Sequence, residues 1–472
     1  MVFSSFIFLF MFLPVLFLVY FIIPAQYREA RNAVLLLFSL IFYAYGGIMF
    51  FPLMIISIII NYTFGLLVSP GLSTHIRKLS VIISAILNLG LLGYFKYAGF
   101  FIENLNQIGL QITAPNIVLP IGISFFTFQG MSYVIDVYRG DAAPERNIAH
   151  VALYISLFPQ LVAGPIVRYT TIANEIHIRN ESIEAFSKGG IRFCFGFAKK
   201  MILANSLGAL ADAVFTLSVP NLTVSLSWLG AIAYMGQIYF DFSAYSDMAI
   251  GLGHMFGFSF LENFNYPYVS KTITEFWRRW HISLSTWFRD YVYIPLGGSR
   301  CSKKRLVINI LVVWSLTGFW HGAAWNFLVW GLYYAVILLG ERFIWKRFTE
   351  NGPSILRHIY VLFVVIIGWV FFRSDSMTYC IGMIKTMFGG AIFSDGQTEY
   401  YLKMYGWVLI ISIIASLPIK TWLKNFLDKR SSNYVFSFIQ TWAPGCIALA
   451  LLVFSYMKLL GSTFNPFIYF RF

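Results

Sequence analysis

Apolar runs recur along nearly the whole chain, divided by short polar loops whose charges are mostly basic. A helix needs roughly 20 apolar residues to cross about 30 Å of hydrocarbon. Residues 5–23, 32–47, 48–68 and 79–98 read as the first spans, and 117–137 as the next, entered through the proline and glycine of LPIGISF. The apolar piece 148–167 is interrupted by Pro159, Gly164 and Pro165. That pattern predicts a broken or re-entrant helix, which is tolerated at membrane depth only where protein or a water-filled cavity covers the freed backbone groups. Segments 189–216 and 227–253 follow, then two short pieces at 306–319 and 324–339, and further runs at 359–372, 377–394, 405–419 and 440–460. The expectation is an all-α polytopic integral membrane protein of about ten to twelve membrane helices, in one domain over 1–472, with no internal repeat.

The stretch 262–305 departs from this pattern, being both aromatic and strongly charged. Capped at Thr272 or Thr274, a helix would place Trp277, His281, Leu284 and Phe288 on one face and Arg278, Arg279 and Arg289 elsewhere. Such a segment reads as an interfacial or half-buried amphipathic helix on the cytoplasmic side.

Composition agrees: the 472 residues are 58% hydrophobic and only 11% charged, with a mean hydropathy of +0.72. The net charge of +14 could suggest nucleic acid. Its Lys and Arg residues instead cluster around Arg28/Arg31, Arg77/Lys78, Arg139/Arg146, 300–305, 342–357 and 420–430, between apolar runs. That is the distribution of topogenic charge holding loops in the cytoplasm, with contact to anionic headgroups. The first basic residues follow the first apolar run, which predicts a retained span with an outside N-terminus. Cys194, Cys301, Cys380 and Cys446 are scattered singly, without metal or disulfide spacing.

Against this background His321 stands out, inside WSLTGFWHGAAWNFLVWG at 314–331 and between the two short apolar pieces. An ionisable side chain at membrane depth is expensive and usually functional. Trp314, Trp320, Trp325 and Trp330 would wall the imidazole off from water, and Gly322, Ala323 and Ala324 would let a ligand or backbone approach. Two readings stay open on the residues alone: a histidine hydrogen-bonded between helices, or a dry, neutral base. His281 is a second candidate, equally readable as an interfacial polar residue. No carboxylate or cysteine lies at ligand spacing from either, so no metal is expected there. His75, His177 and His358 fall in charged loops and read as solvated, while His150 and His254 lie near span ends and receive no role. Asp241 and Asp247, in YFDFSAYSDMAIG, should face the interior, paired or protonated. There is no GxSxG, no Cys beside a His and no phosphate-cradling loop. Direct transfer remains: a histidine takes a proton from an acceptor hydroxyl while an activated acyl donor is held nearby.

The blocks FPQLVAGPIVRY (158–169), YFDFSAYSDMAIG (239–251), EFWRRWHISLSTWFRDYVYIPLGG (275–298) and FWHGAAWNF (319–327), with the terminal NPFIYFRF, resemble the membrane-bound O-acyltransferases. The likeness runs from about residue 120 to the C-terminus and is nearest the bacterial branch of alginate O-acetylation and teichoic acid D-alanyl transfer, closer to the acetyl side. The resemblance implies a ring of membrane helices around a thinned centre, where a cytoplasmic entrance meets an extracytoplasmic funnel. It implies that His321 is catalytic and His281 a second functional position, with Arg168, Trp320, Trp325 and Asn326 as candidate substrate contacts. No tightly bound cofactor is implied. The donor would be a cytoplasmic thioester, acetyl-CoA or an acyl carrier protein, and the acceptor an exported polysaccharide reached through an extracytoplasmic or membrane-anchored esterase-like partner. The setting would be the bacterial cytoplasmic membrane. D-alanyl transfer from an acyl carrier protein, and a transporter or flippase without acyl chemistry, are the rival readings.

Overall fold

The computed structural model describes residues 2–113, 115, 117–162, 164–429 and 434–461, so the terminal NPFIYFRF block lies outside the described residues. Among the described residues all regular elements are helical, apart from an isolated bridge between Pro70 and Leu72. Among the described residues, four helices are long and apolar enough to cross a membrane: Ile48–Leu67, Thr74–Gln107, Ser354–Arg373 and Gln440–Leu460. A fifth span results if Gly396–Ala415 and Ile419–Asp428, bent by 55°, count as one. The protein is an integral membrane protein, but the expected count of about ten to twelve spans is not confirmed.

The shortfall has a physical cause in the segments themselves. The first run is divided into a π turn, Phe8–Phe12, and a ten-residue helix, Leu13–Ile22. The run at 148–167 breaks into Ile148–Ser156 and Phe158–Leu161 and then leaves helical geometry before Tyr169. Pro165 cannot donate a backbone hydrogen bond there, and residues 164–167, where helical geometry is lost, are buried in protein, as an interrupted helix requires. Ile123–Arg139 spans only 17 residues and buries Gln129 and Asp136, polar side chains that face protein instead of lipid.

The chain forms two compact units, Met1–Phe193 with Asp247–Leu261, and Cys194–Ser246 with Glu262–Phe472. In the first, Phe158 packs its ring against Phe12 and Phe42 at centroid distances of 5.4 and 5.7 Å. Asn61 and Asn88 exchange amide hydrogen bonds of 3.1 Å between the Phe51–Leu67 and Thr74–Leu92 helices, the polar glue expected between membrane helices. Glu181 gathers the hydroxyl of Tyr20 and the guanidinium of Arg28, with Arg31 at 3.1 Å and Arg179 at 3.4 Å. Burial alone would raise its pKa; the Arg28 and Tyr20 hydrogen bonds and the charges of Arg28 and Arg179 outweigh that and hold the carboxyl down at about 2.

In the second unit a π turn, Lys199–Ala204, leads into Asn205–Phe215. It places buried Lys200 at 2.6 Å from Asp241, which projects from the 32-residue helix Val224–Met255. Asp247 on the same helix pairs with Arg192 at 2.8 Å, within the first unit. Of the two states expected, paired or protonated, both carboxylates take the paired one. Two helices of the second unit, Lys303–His321 and Trp325–Phe343, pack backbone on backbone. A Cβ on Gly318 would come within 2.3 Å of the Phe327 carbonyl oxygen, and one on Gly331 within 2.2 Å of that of Trp314. Glycine at both contacts is what lets the two helices touch.

Candidate active site

The two histidines singled out in the sequence both lie in the second unit and both are buried. His321 is the last residue of Lys303–His321, placed between two helices as the pattern predicted. The chain reverses through extended Gly322, whose position has no room for a side chain: a Cβ would lie 2.2 Å from the Phe327 ring. The imidazole is walled by aromatic edges, with ring centroids of Trp320, Phe372 and Trp330 at 5.0, 5.1 and 5.2 Å. Trp320 also reaches His281, at 5.9 Å, so a single indole touches both imidazoles.

Around His281 the structure differs from the continuous helix expected. Thr272 does cap the segment, accepting from the Glu275 N–H at 2.9 Å, but the helix ends at Arg279. His281 has φ 45° and ψ 55°, in the left-handed region, and a second helix begins at Ile282. A non-glycine residue there carries strain of roughly 1–3 kcal/mol, which persists only when its surroundings determine it. Here the neighbouring strand of chain does so. Ile282 N–H donates to the Asn263 carbonyl at 3.0 Å, and Asn265 N–H to the Arg279 carbonyl at 2.9 Å, satisfying backbone groups freed by the break. Trp277, Leu284 and Phe288 are buried and Arg278 and Arg289 exposed, so the amphipathic pattern holds across the break.

Asn263 also fixes the protonation pattern of His281. Its Oδ1 accepts from the Ser283 backbone N–H at 3.2 Å and hydroxyl at 2.9 Å, while its Nδ2 donates to Ser246 at 3.1 Å. The backbone donor determines which end of the amide is oxygen. His281 Nδ1, 3.1 Å from that oxygen, is therefore the protonated nitrogen. Nε2 is left with its lone pair, buried and without a hydrogen-bond partner among the described residues. The Phe242 ring packs edge-on at 4.5 Å. A neutral imidazole with a bare Nε2 can accept a proton or a hydrogen bond from a bound substrate.

Glu341, near the end of Trp325–Phe343, ties this segment to the helix that follows His321. Its carboxylate accepts the backbone N–H groups of Ile273 at 2.6 Å and Thr274 at 3.0 Å, and the Thr274 hydroxyl at 2.8 Å. A carboxylate at a helix N-terminus satisfies orphan donors and complements the helix dipole. Sequence reasoning missed both Asn263 and Glu341; a buried acid near the end of an apolar helix was the available signal for the second.

The other expected contacts are scattered. Trp320 is buried, and Trp325 is half exposed at the start of its helix. Asn326 donates its amide to the Ser374 carbonyl at 2.9 Å, joining its helix to the end of Ser354–Arg373. Arg168 belongs to the first unit, where it precedes the helix Tyr169–His177 and is partly exposed.

The sequence model of the membrane-bound O-acyltransferase family matches residues 48–381. A protein named probable alginate O-acetylase, from Azotobacter vinelandii, is 39% identical over 100% of both chains. The peptidoglycan O-acetyltransferase of Helicobacter pylori is 32% identical over 100% of this chain and 98% of its own. The teichoic acid D-alanyltransferase of Bacillus subtilis is 30% identical, over 51% of this chain and 63% of its own.

Proposed function

The chain belongs to the membrane-bound O-acyltransferase family and is an acyltransferase; on that premise we propose that it transfers acetyl groups for O-acetylation of an exported cell-surface polysaccharide. The observation that carries the reading is the pair of buried imidazoles, His321 and His281, both in contact with Trp320 in an aromatic enclosure. Two relatives matched over 98–100% of their own length are named a probable alginate O-acetylase and a peptidoglycan O-acetyltransferase, which favours acetyl over D-alanyl as the group moved. A transporter without acyl chemistry has no support from an acyltransferase family.

In the proposed reaction His321 takes the proton of an acceptor hydroxyl as its oxygen attacks the carbonyl carbon of a thioester, acetyl-CoA or an acyl carrier protein conjugate. A new ester C–O bond forms, the C–S bond breaks, and the thiolate leaves with the proton returned by the imidazolium. The Nε2 of His281 accepts a hydrogen bond from donor or acceptor. Trp320, Trp325 and Asn326 are proposed to line the substrate path, and Arg168 to bind a substrate phosphate or carboxylate. The protein would sit in the bacterial cytoplasmic membrane, with an esterase-like partner outside it completing delivery to the polymer.

The test is to replace His321 by Ala, establish normal membrane levels, and measure ester-linked acetyl on the surface polymer. Loss of acetyl is expected. Full acetylation would sink the mechanism, and loss of ester-linked D-alanine instead would assign the protein to the other branch.

A further inference from the structure

Away from the two site histidines, three side chains of the first unit converge at the ends of three segments. Glu145 lies in the loop before Ile148–Ser156, His150 in the first turn of that helix, and His177 is the last residue of Tyr169–His177. His177 Nε2 is 3.0 Å and His150 Nδ1 3.4 Å from the same oxygen, Glu145 Oε2, and the three potential ligand atoms all lie within 4.8 Å of one another. The sequence pattern left His177 solvated and gave His150 no role; the fold brings them to a ring separation of 4.8 Å.

The hydrogen bonds around this group determine what it can hold. His150 Nε2 is 2.8 Å from Glu29 Oε2, an acceptor, while the amide of Asn147 approaches the same nitrogen only at 3.4 Å. The closer carboxylate engages Nε2, so Nδ1 is the nitrogen available to serve as a ligand. Nδ1 is buried, makes no hydrogen bond among the described residues, and faces a carboxylate oxygen. A buried ring nitrogen turned toward a carboxylate oxygen calls for a cation between them, a proton or a metal ion. Glu145 is otherwise held by the Asn147 backbone N–H at 2.9 Å and the Tyr169 hydroxyl at 3.2 Å. Ligands bonded to Zn2+ at about 2.0–2.1 Å in a tetrahedron stand about 3.3 Å apart. The observed separations of 3.0 and 3.4 Å bracket that spacing.

We propose that Glu145, His150 and His177 form a binding site for a divalent transition-metal ion of the Zn2+ type. Glu29 is the outer carboxylate that orients His150, as such carboxylates do for metal-bound imidazoles. The His177 side chain is 48% exposed, so its side of the site is open to a water as the fourth ligand. The ion would fasten the 140–147 loop to the ends of two helices, and the assignment is independent of the acyl-transfer reading.

The experiment uses the full chain, free of any histidine tag, purified in detergent, treated with chelator and titrated with Co2+ while visible absorption is recorded. One equivalent should produce the intense bands of tetrahedral cobalt, and Zn2+ should abolish them. His177→Ala, at a half-exposed position where folding tolerates the change, should weaken uptake at least ten-fold; Glu145→Gln should do the same, and Glu29→Gln should weaken it less. Wild-type protein that shows no such bands, or bands unchanged in both His177→Ala and Glu145→Gln, would overturn the site.

Discussion

His281 Nδ1 lies 3.1 Å from Asn263 Oδ1, and this contact determines which nitrogen of the imidazole carries its proton. The amide oxygen is held in place by two groups of Ser283, and the amide nitrogen by Ser246. Among the described residues the side chains that hydrogen-bond His281, those of Asn263 and Ser283, are neutral, so they orient the ring without a charge that would favour imidazolium.

Asn263→Ala should therefore lower acyl transfer by about 10- to 100-fold, taking as a guide the cost of losing the orienting partner of a metal-bound imidazole. Transfer is measured as ester-linked acetyl at matched membrane levels. Wild-type activity in this variant would mean that the tautomer of His281 plays no part in the reaction.

The glycines between the two central helices make a stability prediction. Gly318→Ala would drive a methyl against the Phe327 carbonyl, a backbone atom that cannot swing aside, and Gly322→Ala would meet the Phe327 ring at 2.2 Å. Overpacking of this kind costs about 1–3 kcal/mol. Thermal unfolding in detergent should show both variants destabilised, with Gly90→Ala, where nothing lies within 4 Å, unchanged or slightly stabilised as a control.

Glu341→Ala removes the acceptor for two backbone N–H groups of the helix leading to His281. Loss of a helix cap costs about 0.5–2 kcal/mol. Glu341→Gln keeps an acceptor oxygen and should recover part of both stability and activity; equal behaviour of the two variants would show that capping is not what Glu341 provides.

A pH dependence follows from Glu181, whose carboxyl is held at about 2 in the folded protein against an ordinary 4.5. A depressed folded-state pKa favours folding once pH exceeds the unfolded value, so the contribution is complete above about pH 5 and is lost as pH falls toward 2. Unfolding midpoints measured between pH 6 and about 3 should fall more steeply for the wild type than for Glu181→Gln. Parallel slopes would mean that the arginines around Glu181 provide no net linkage.

The sequence by itself determined the membrane class, the helical architecture, the family and the position of His321 between two apolar segments. Each of these is written in local pattern: runs of apolar residues, a histidine beside glycine and alanine, and blocks of contiguous motif. It also left Asp241 and Asp247 two states, paired or protonated, because an isolated carboxylate at that depth is too costly to leave alone; the structure pairs both. Span counting was less legible, since a helix buried among others can carry polar residues that hydropathy scores against it.

Only tertiary structure decided how the histidines are held. The continuous amphipathic helix expected through His281 is locally plausible, and it breaks because residues 263–265 offer other partners to its backbone. Asn263 meets His281 across 18 residues of sequence, Glu341 meets Ile273 across 68, and His177 meets Glu145 across 32. Contacts at such separations leave no periodic trace in the chain, because the geometry that makes them arises only when several helices have packed.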